Sequence, residues 1–188
     1  MPTWGWIIIA VAIVAVVALA VWAAMRARRT RELRSTFGPE YERTMETEGS
    51  RKDAESELQA RRRRRQHLAI RPLAPEERER YRAEWQAVQS RFVDQPGPAV
   101  READLLVTRV MRDRGYPMED FEQQAADVSV DHPDVVQNYR SAHAIYVRME
   151  AGEEGTEALR QAMVHYRALF DELLDITDQR GQDVAGQA

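Results

Sequence analysis

The feature that most constrains this chain is an uncharged apolar stretch near its start, WGWIIIAVAIVAVVALAVWAA, at residues 4–24. As a helix rising about 1.5 Å per residue, it would extend about 32 Å, close to the ~30 Å of a bilayer hydrocarbon core. A soluble protein of 188 residues is too small to surround a helix that is apolar on every face. The stretch therefore predicts one transmembrane helix at residues 4–25, after a short N-terminal segment at residues 1–3.

The residues that flank this stretch predict how it is anchored and oriented. Indole rings favour membrane interfaces, and a basic cluster follows the apolar stretch while no charged side chain precedes it. The predicted interface anchors are Trp4, Trp6, Trp22, Arg26, Arg28 and Arg29. By the positive-inside rule, we expect a single-pass membrane protein with its N-terminus outside and the rest in the cytoplasm.

A cleaved signal peptide is the competing interpretation of the same residues. Ala18-Leu19-Ala20 resembles a cleavage site with small residues. The segment before the apolar stretch lacks the basic side chains of a signal peptide, and the apolar stretch is longer than a signal peptide needs. The sequence therefore favours a retained anchor.

Charge separates the rest of the chain into two parts. Residues 26–80 carry 16 basic and 11 acidic side chains, whereas residues 81–188 carry 11 basic and 20 acidic ones. A basic segment thus precedes an acidic one within a chain of net charge −4. The chain contains no cysteine, which excludes disulfides, thiolate chemistry and cysteine-based zinc sites.

We interpret residues 26–74 as a charged helical stem. Breaks are expected at Phe37-Gly38-Pro39 and at Gly49, and Ser50 can cap the helix that follows. That helix is predicted to run to about Ala69 and, because it has few apolar residues, to be largely solvated.

Residues 75–180 carry the helical periodicity of a compact domain. Apolar side chains recur at i, i+4, i+7 and i+11 after Pro75, and the pattern restarts after successive glycines and prolines. This predicts a bundle of about five helices, with Asp131 as the N-cap of the fourth, and a disordered tail at residues 181–188. No alternating strand pattern occurs, so the predicted fold class is all-α.

Four phrases of this chain are distinctive when they are taken together: FGPEYERT, RFVDQPGPAVREADLLVTRVMRDRGYP, VDHPDVVQNYRSAHAIY and LRQAMVHYRALFDELL. With them the chain resembles a family of short, uncharacterised bacterial membrane proteins over most of its length after residue 36. The resemblance implies a bacterial origin and a recurrent layout of one anchor followed by helices, so the expected location is the bacterial inner membrane. It implies no activity, cofactor or catalytic residue.

Two groups of residues are candidates for a metal site or a catalytic site. His143 and His165 lie on different predicted helices and could converge on a metal, but no Glu-x-x-His or His-x-x-x-His spacing accompanies them. Ser129, Asp131 and His132 suggest a catalytic triad, yet residues this close along one turn mostly point apart. We therefore predict no catalytic, cofactor-binding or metal-binding residue, and no cofactor.

The run RRRRRQH, which begins with Arg61, Arg62, Arg63, Arg64 and Arg65, requires an anionic partner or water. Successive helical residues turn by about 100°, so these five side chains cover every face of a helix. The candidate partners are phosphates of nucleic acid, anionic lipid, an acidic partner protein, and the acidic half of this chain. No nucleic-acid recognition motif accompanies the run, which favours the protein partners.

These observations predict a membrane-anchored helical protein that acts as a non-catalytic binding or scaffold module facing the cytoplasm. Its expected partners are the lipid bilayer and another protein. A membrane-tethered nucleic-acid-binding protein that uses Arg61–Arg65 is one alternative. An enzyme of the helical domain, with His143, His165 and carboxylates, is the other.

Overall fold

The computed structural model describes residues 3–175, and over this range the chain is all-helical, with eight α-helices and no strand. The all-α prediction is confirmed. The predicted tail at residues 181–188, residues 1–2 and the side chain of Trp6 lie outside the described part of the chain. Contacts between Cα atoms divide the chain into two compact units, of which the first ends at Leu58 and the second begins at Gln59.

The first unit contains α1 (Thr3–Phe37), α2 (Pro39–Glu48) and the first half of α3 (Arg51–Gln66). The segment Val11–Phe37 of α1 is long and apolar enough to cross a membrane, and none of its most apolar part is buried. One candidate membrane span near the N-terminus is therefore present. A signal sequence satisfies the same criterion, so the retained single-pass anchor stays a prediction.

The predicted breaks between these helices are found where the sequence placed them. α1 ends at Phe37, and Pro39 occupies the first turn of α2, where its missing N–H costs no hydrogen bond. α2 ends at Gly49, and the Ser50 hydroxyl accepts a hydrogen bond from the Asp53 N–H at 3.2 Å. α3 ends at Gln66, a few residues earlier than expected.

The stem helices of the first unit enclose a small core of their own. Leu33 and Phe37 of α1, Tyr41 of α2, and Ala54 and Leu58 of α3 are all buried. The expectation that α3 is largely solvated was wrong for its first half, because Ala54 and Leu58 at i, i+4 spacing form a short apolar stripe.

The second unit contains the end of α3 and the five helices that follow it: α4 (Pro75–Phe92), α5 (Pro96–Arg114), α6 (Phe121–Asp131), α7 (Val136–Glu150) and α8 (Thr156–Asp175). α5 packs against α4 and α8, and α7 packs against α8. In the core, the rings of Trp85 and Phe170 stack at 4.8 Å, and Tyr139 and Tyr166 are fully buried. The apolar periodicity of the sequence thus lies on the inward faces.

A helix boundary in the second unit also differs from the prediction. Asp131 is the last residue of α6, and α7 begins at Val136. The predicted N-cap role of Asp131 is therefore wrong. The apolar pattern of α6 continues through Val128, and the helix stops only before Pro133, which disfavours helix at His132. Asp120 caps α6 instead, because its carboxylate accepts from the Gln123 N–H at 2.9 Å.

The segment at residues 67–74 lies against the end of α5 within the second unit. The Arg71 N–H donates to the Arg114 carbonyl oxygen at 2.8 Å, and Leu73 is buried. Gly115 ends α5 with a φ of +97°, and a Cβ built there would lie 2.6 Å from the Ala69 carbonyl oxygen. A side chain at position 115 would therefore be strained by the backbone conformation and would clash with this carbonyl oxygen.

We predict that Gly115→Ala lowers the free energy of unfolding by about 2–4 kcal/mol, because left-handed strain of about 1–2 kcal/mol adds to the clash. Gly152→Ala is the matched control. Gly152 has a φ of +76° with no atom within 4 Å of a built Cβ, so only the left-handed strain of about 1–2 kcal/mol applies. Chemical unfolding of the full chain in detergent measures both values, and equal losses would contradict the close approach.

Candidate functional site

The arginine run occupies the last turn and a half of α3, within the second unit. Arg62 and Arg63 are exposed, whereas Arg61, Arg64 and Arg65 are partly buried. The side chain of Arg65 is only 15% exposed. The run is therefore not uniformly solvated, since its last members pack against the acidic part of the chain.

Two carboxylates of α6 contact two consecutive arginines of the run. Arg64 Nε donates to Asp127 Oδ1 at 3.0 Å, and Arg65 Nε donates to Asp131 Oδ2. Asp127 and Asp131 are four residues apart, which puts both carboxylates on one face of α6. We refer to these four residues as the α3–α6 ion pairs. They supply an anionic partner from the same chain for Arg64 and Arg65.

Further hydrogen bonds hold the two aspartates in place. Asp127 is 1% exposed, and its Oδ1 also accepts from Gln123 Nε2 at 2.9 Å. Asp131 Oδ2 accepts from the Tyr116 hydroxyl at 2.8 Å. Burial raises the pKa of Tyr116 well above its usual value, and the charge of Asp131 adds to this rise. The phenol therefore stays protonated and continues to donate.

The residues of the suggested triad have separate partners. The Ser129 hydroxyl donates to the Ala126 carbonyl oxygen at 2.6 Å, and His132 Nδ1 lies 3.1 Å from Glu172 Oε1. Burial lowers the pKa of His132, although its contact with Glu172 acts in the opposite direction. Asp131 faces Arg65 and Tyr116, as described above. The structure thus does not assemble Ser129, Asp131 and His132 into a triad.

The two histidines that could have converged on a metal also have different partners. His143 stacks on Phe121 with ring centroids 3.6 Å apart and lies 3.9 Å from Asp104 Oδ1. His165 Nδ1 lies 2.8 Å from Asn138 Oδ1. Within residues 3–175, no group of three or more histidine, aspartate or glutamate side chains is placed to hold a metal ion.

A buried carboxylate in the first unit was missed by the sequence analysis. Glu55 of α3 is 8% exposed, and its Oε1 accepts from Thr30 Oγ1 at 2.8 Å, Arg51 Nε at 2.9 Å and the Tyr41 hydroxyl at 3.2 Å. Burial on its own would raise the pKa of Glu55, but the hydrogen bonds from Arg51, Thr30 and Tyr41 outweigh it and lower the pKa. The only sequence signal was an acidic residue between two apolar positions.

A groove between α4 and α5 was also missed. It has a volume of about 440 Å³, and its lining consists of Glu84, Ala87, Val88, Arg91, Glu102, Leu105, Thr108, Arg109 and Arg112. Leu105 is 61% exposed although it lies beside the buried Leu106. The sequence signal for this groove was Leu105, an apolar residue at an outward position of an amphipathic helix.

The predicted interface anchors lie on the outside of α1 wherever their side chains are described. Trp4 and Trp22 are exposed, as are Arg28 and Arg29. The Arg26 guanidinium lies 5.6 Å from the centroid of the Trp22 ring, a cation–π distance. These positions suit the two ends of a membrane span.

Comparison with known proteins adds no relative: no family model, curated protein or solved structure matches the chain. The resemblance to a family of short bacterial membrane proteins therefore stays a prediction.

We predict that Asp127→Ala lowers the free energy of unfolding by about 2–3 kcal/mol. The loss should be smaller than for a fully buried pair, because Arg64 is 38% exposed and water screens its charge. Asp134→Ala, at an exposed position of the same region, should change stability by less than about 0.5 kcal/mol. A double-mutant cycle with Arg64→Ala should show a coupling of about 1 kcal/mol, and a coupling of zero would contradict the ion pair.

We predict that the ionisation of Glu55 makes the free energy of unfolding of the chain depend on pH in the acidic range. Because its pKa is lower in the folded state, the ionised form stabilises the fold above the unfolded pKa of about 4.3. This contribution is lost as the pH falls through the lower, folded pKa. Urea unfolding between pH 7 and pH 3 should show a smaller acid-induced loss for Glu55→Gln than for the unchanged chain. Equal losses in the two proteins would mean that Glu55 is not the responsible group.

Proposed function

We propose that this chain is a single-pass protein of the bacterial inner membrane that acts as a non-catalytic scaffold for another protein. Its N-terminus lies outside and its C-terminal helices form one cytoplasmic bundle. The proposal includes membership of the family of short bacterial membrane proteins that its sequence resembles. The α4–α5 groove is the surface on which a partner docks.

Two features of α1 support the membrane placement. Its apolar side chains from Val11 to Met25 are exposed along the helix, and such a surface is stable only in contact with lipid or another apolar surface. The arginines follow the apolar stretch on one side only, which is the charge asymmetry of a segment with its C-terminal side in the cytoplasm.

The polar side chains of the second unit support binding more than catalysis. Ser129, His132 and His165 each have a partner within the chain, and so do Arg64 and Arg65. A nucleophile or a base needs a free approach to its substrate. A nucleic-acid-binding run likewise needs its arginines directed at phosphates.

The exposure of Leu105 in the α4–α5 groove is the observation that carries the proposal. Arg91 forms an ion pair with Glu102, and Arg109 forms one with Glu84 at 2.7 Å, so both carboxylates of the lining already have cationic partners. With Arg112, the lining contains three guanidinium groups against two carboxylates. The groove therefore fits an acidic segment of a partner protein that places an apolar side chain on Leu105.

We expect a photocrosslinking residue at position 105 of the full chain, in native membranes, to capture one protein through an acidic, apolar segment identified by mass spectrometry. The same residue at Val147, which is exposed on α7, is the control and should not capture that segment. Arg112→Glu should reduce capture about tenfold, because a repulsive charge then faces an acidic partner.

Three results would overturn the docking proposal: equal capture from positions 105 and 147, capture of a basic segment, or no effect of Arg112→Glu. Salt-sensitive recovery of nucleic acid that is lost on Arg61–Arg63→Ala would instead favour a membrane-tethered nucleic-acid-binding protein. Stoichiometric metal that is lost on His143→Ala would favour an enzyme.

A further inference from the structure

The register of α2 against α1 shows where the turn between α2 and α3 lies within the first unit. The Arg34 guanidinium lies 5.0 Å from the centroid of the Tyr41 ring and 3.4 Å from Glu42 Oε1. Residues on both sides of the break at Gly38 therefore face each other, so α2 runs back along α1. Its ten residues extend about 15 Å, which returns the chain to about the level of residue 27 of α1.

The register of α3 is consistent with this level. Glu55 of α3 bonds Thr30 of α1 through Oγ1 at 2.8 Å, so these two residues lie at one level. α3 begins at Arg51, four residues or about 6 Å before Glu55. Since α2 ends near the level of residue 27, α3 must run in the same direction as α1, and its first residues lie near the level of residue 26.

This level is close to the end of the apolar stretch. The stretch ends at Ala24, and two to three helical residues correspond to about 3–5 Å. The Debye length at physiological ionic strength is about 8 Å, so charges at this level act on lipid headgroups with little screening. The turn between α2 and α3, residues 48–53, is thus held at the surface of any membrane that α1 spans.

The side chains at this level carry a positive balance. The cations are Arg26, Arg28, Arg29, Arg31, Arg43, Arg51 and Lys52, and the anions are Glu32, Glu46, Glu48, Asp53 and Glu55. Lys52, the only lysine of the chain, is exposed. Arg28 is exposed on the side of α1 opposite Thr30, Leu33 and Phe37, at about 100° per residue. It therefore points away from the small core of the first unit.

We infer that the turn at residues 48–53 is a second membrane contact, in which Lys52 and the basic residues of α1 bind the phosphates of anionic lipid headgroups. The inference rests on the proposed membrane insertion of α1. Basic side chains next to a transmembrane helix attract anionic lipid. Because α2 and α3 fold back along α1, Lys52, which is distant in sequence, joins the basic side chains of α1. Contact at this turn also restricts the first unit to one orientation on the bilayer.

The absence of cysteine allows a direct test with one introduced thiol in the full chain. Thr47→Cys places a fluorophore at the proposed contact, and Ser35→Cys places it about 16 Å beyond Ala24. The two positions are matched, because both side chains are exposed and each hydroxyl only donates to a carbonyl oxygen of its own helix. In vesicles of phosphatidylcholine with phosphatidylglycerol, spin-labelled lipids of either headgroup serve as quenchers.

We expect quenching at position 47 and little at position 35, with a preference for phosphatidylglycerol over phosphatidylcholine that falls in 0.5 M salt. Lys52→Gln should lower this preference about fivefold, and Lys52→Arg should retain it. Arg167→Gln, the same change of charge on the exposed side of α8, should leave the preference unchanged.

The inference is overturned if α1 is protected from protease in the vesicles but positions 47 and 35 are quenched equally, or if Lys52→Gln leaves the preference intact. If α1 is not protected, the proposed membrane insertion fails as well. Protease protection therefore distinguishes failure of the lipid contact from failure of the anchor.

Discussion

Charge-assisted hydrogen bonds to buried and half-buried carboxylates fix the position of α3 in each unit. Beyond the buried Ala54 and Leu58, α3 has few apolar side chains, so hydrophobic burial contributes little to the position of its second half. In the first unit, Glu55 accepts from α1, α2 and α3 itself. In the second unit, Arg64 and Arg65 donate to α6. Hydrogen bonds of this kind are stronger and more directional than neutral ones, which suits a helix that must hold a fixed register.

The same contacts restrict what the polar residues of the second unit can do. Asp131 and His132, which resemble catalytic residues in sequence, lie in contacts between helices. Tyr139 and Tyr166 are buried and donate to Gln124 and Asp104, so they too serve the packing of the core. The α4–α5 groove, with the exposed Leu105, is open to contact with another molecule, whereas these interior groups are engaged within the core.

Local signals of turns and caps predicted the helices of the first unit well. The breaks near Gly38 and Gly49 and the cap at Ser50 depend on backbone preferences of single residues, which act in the same way in any fold. The predicted role of Asp131 was wrong because it depends on the surrounding fold, which a local signal does not describe. An aspartate before a proline is a common helix start, but here the apolar pattern of α6 continues to Asp131 and its carboxylate has a partner on α3.

Residue order alone is enough to identify a candidate membrane span, a basic segment and an acidic helical part. The free energy of transferring side chains from water depends mainly on their composition and period, which the sequence gives directly. Residue order is not enough to identify the partner of a charge. Arg64 meets Asp127 across 63 positions of sequence, and Thr30 meets Glu55 across 25. Such pairs form only after helices have packed, since hydrogen bonds require a separation near 3 Å that no local pattern encodes. The tertiary structure therefore decided which arginines are engaged and where the turn between α2 and α3 returns along α1.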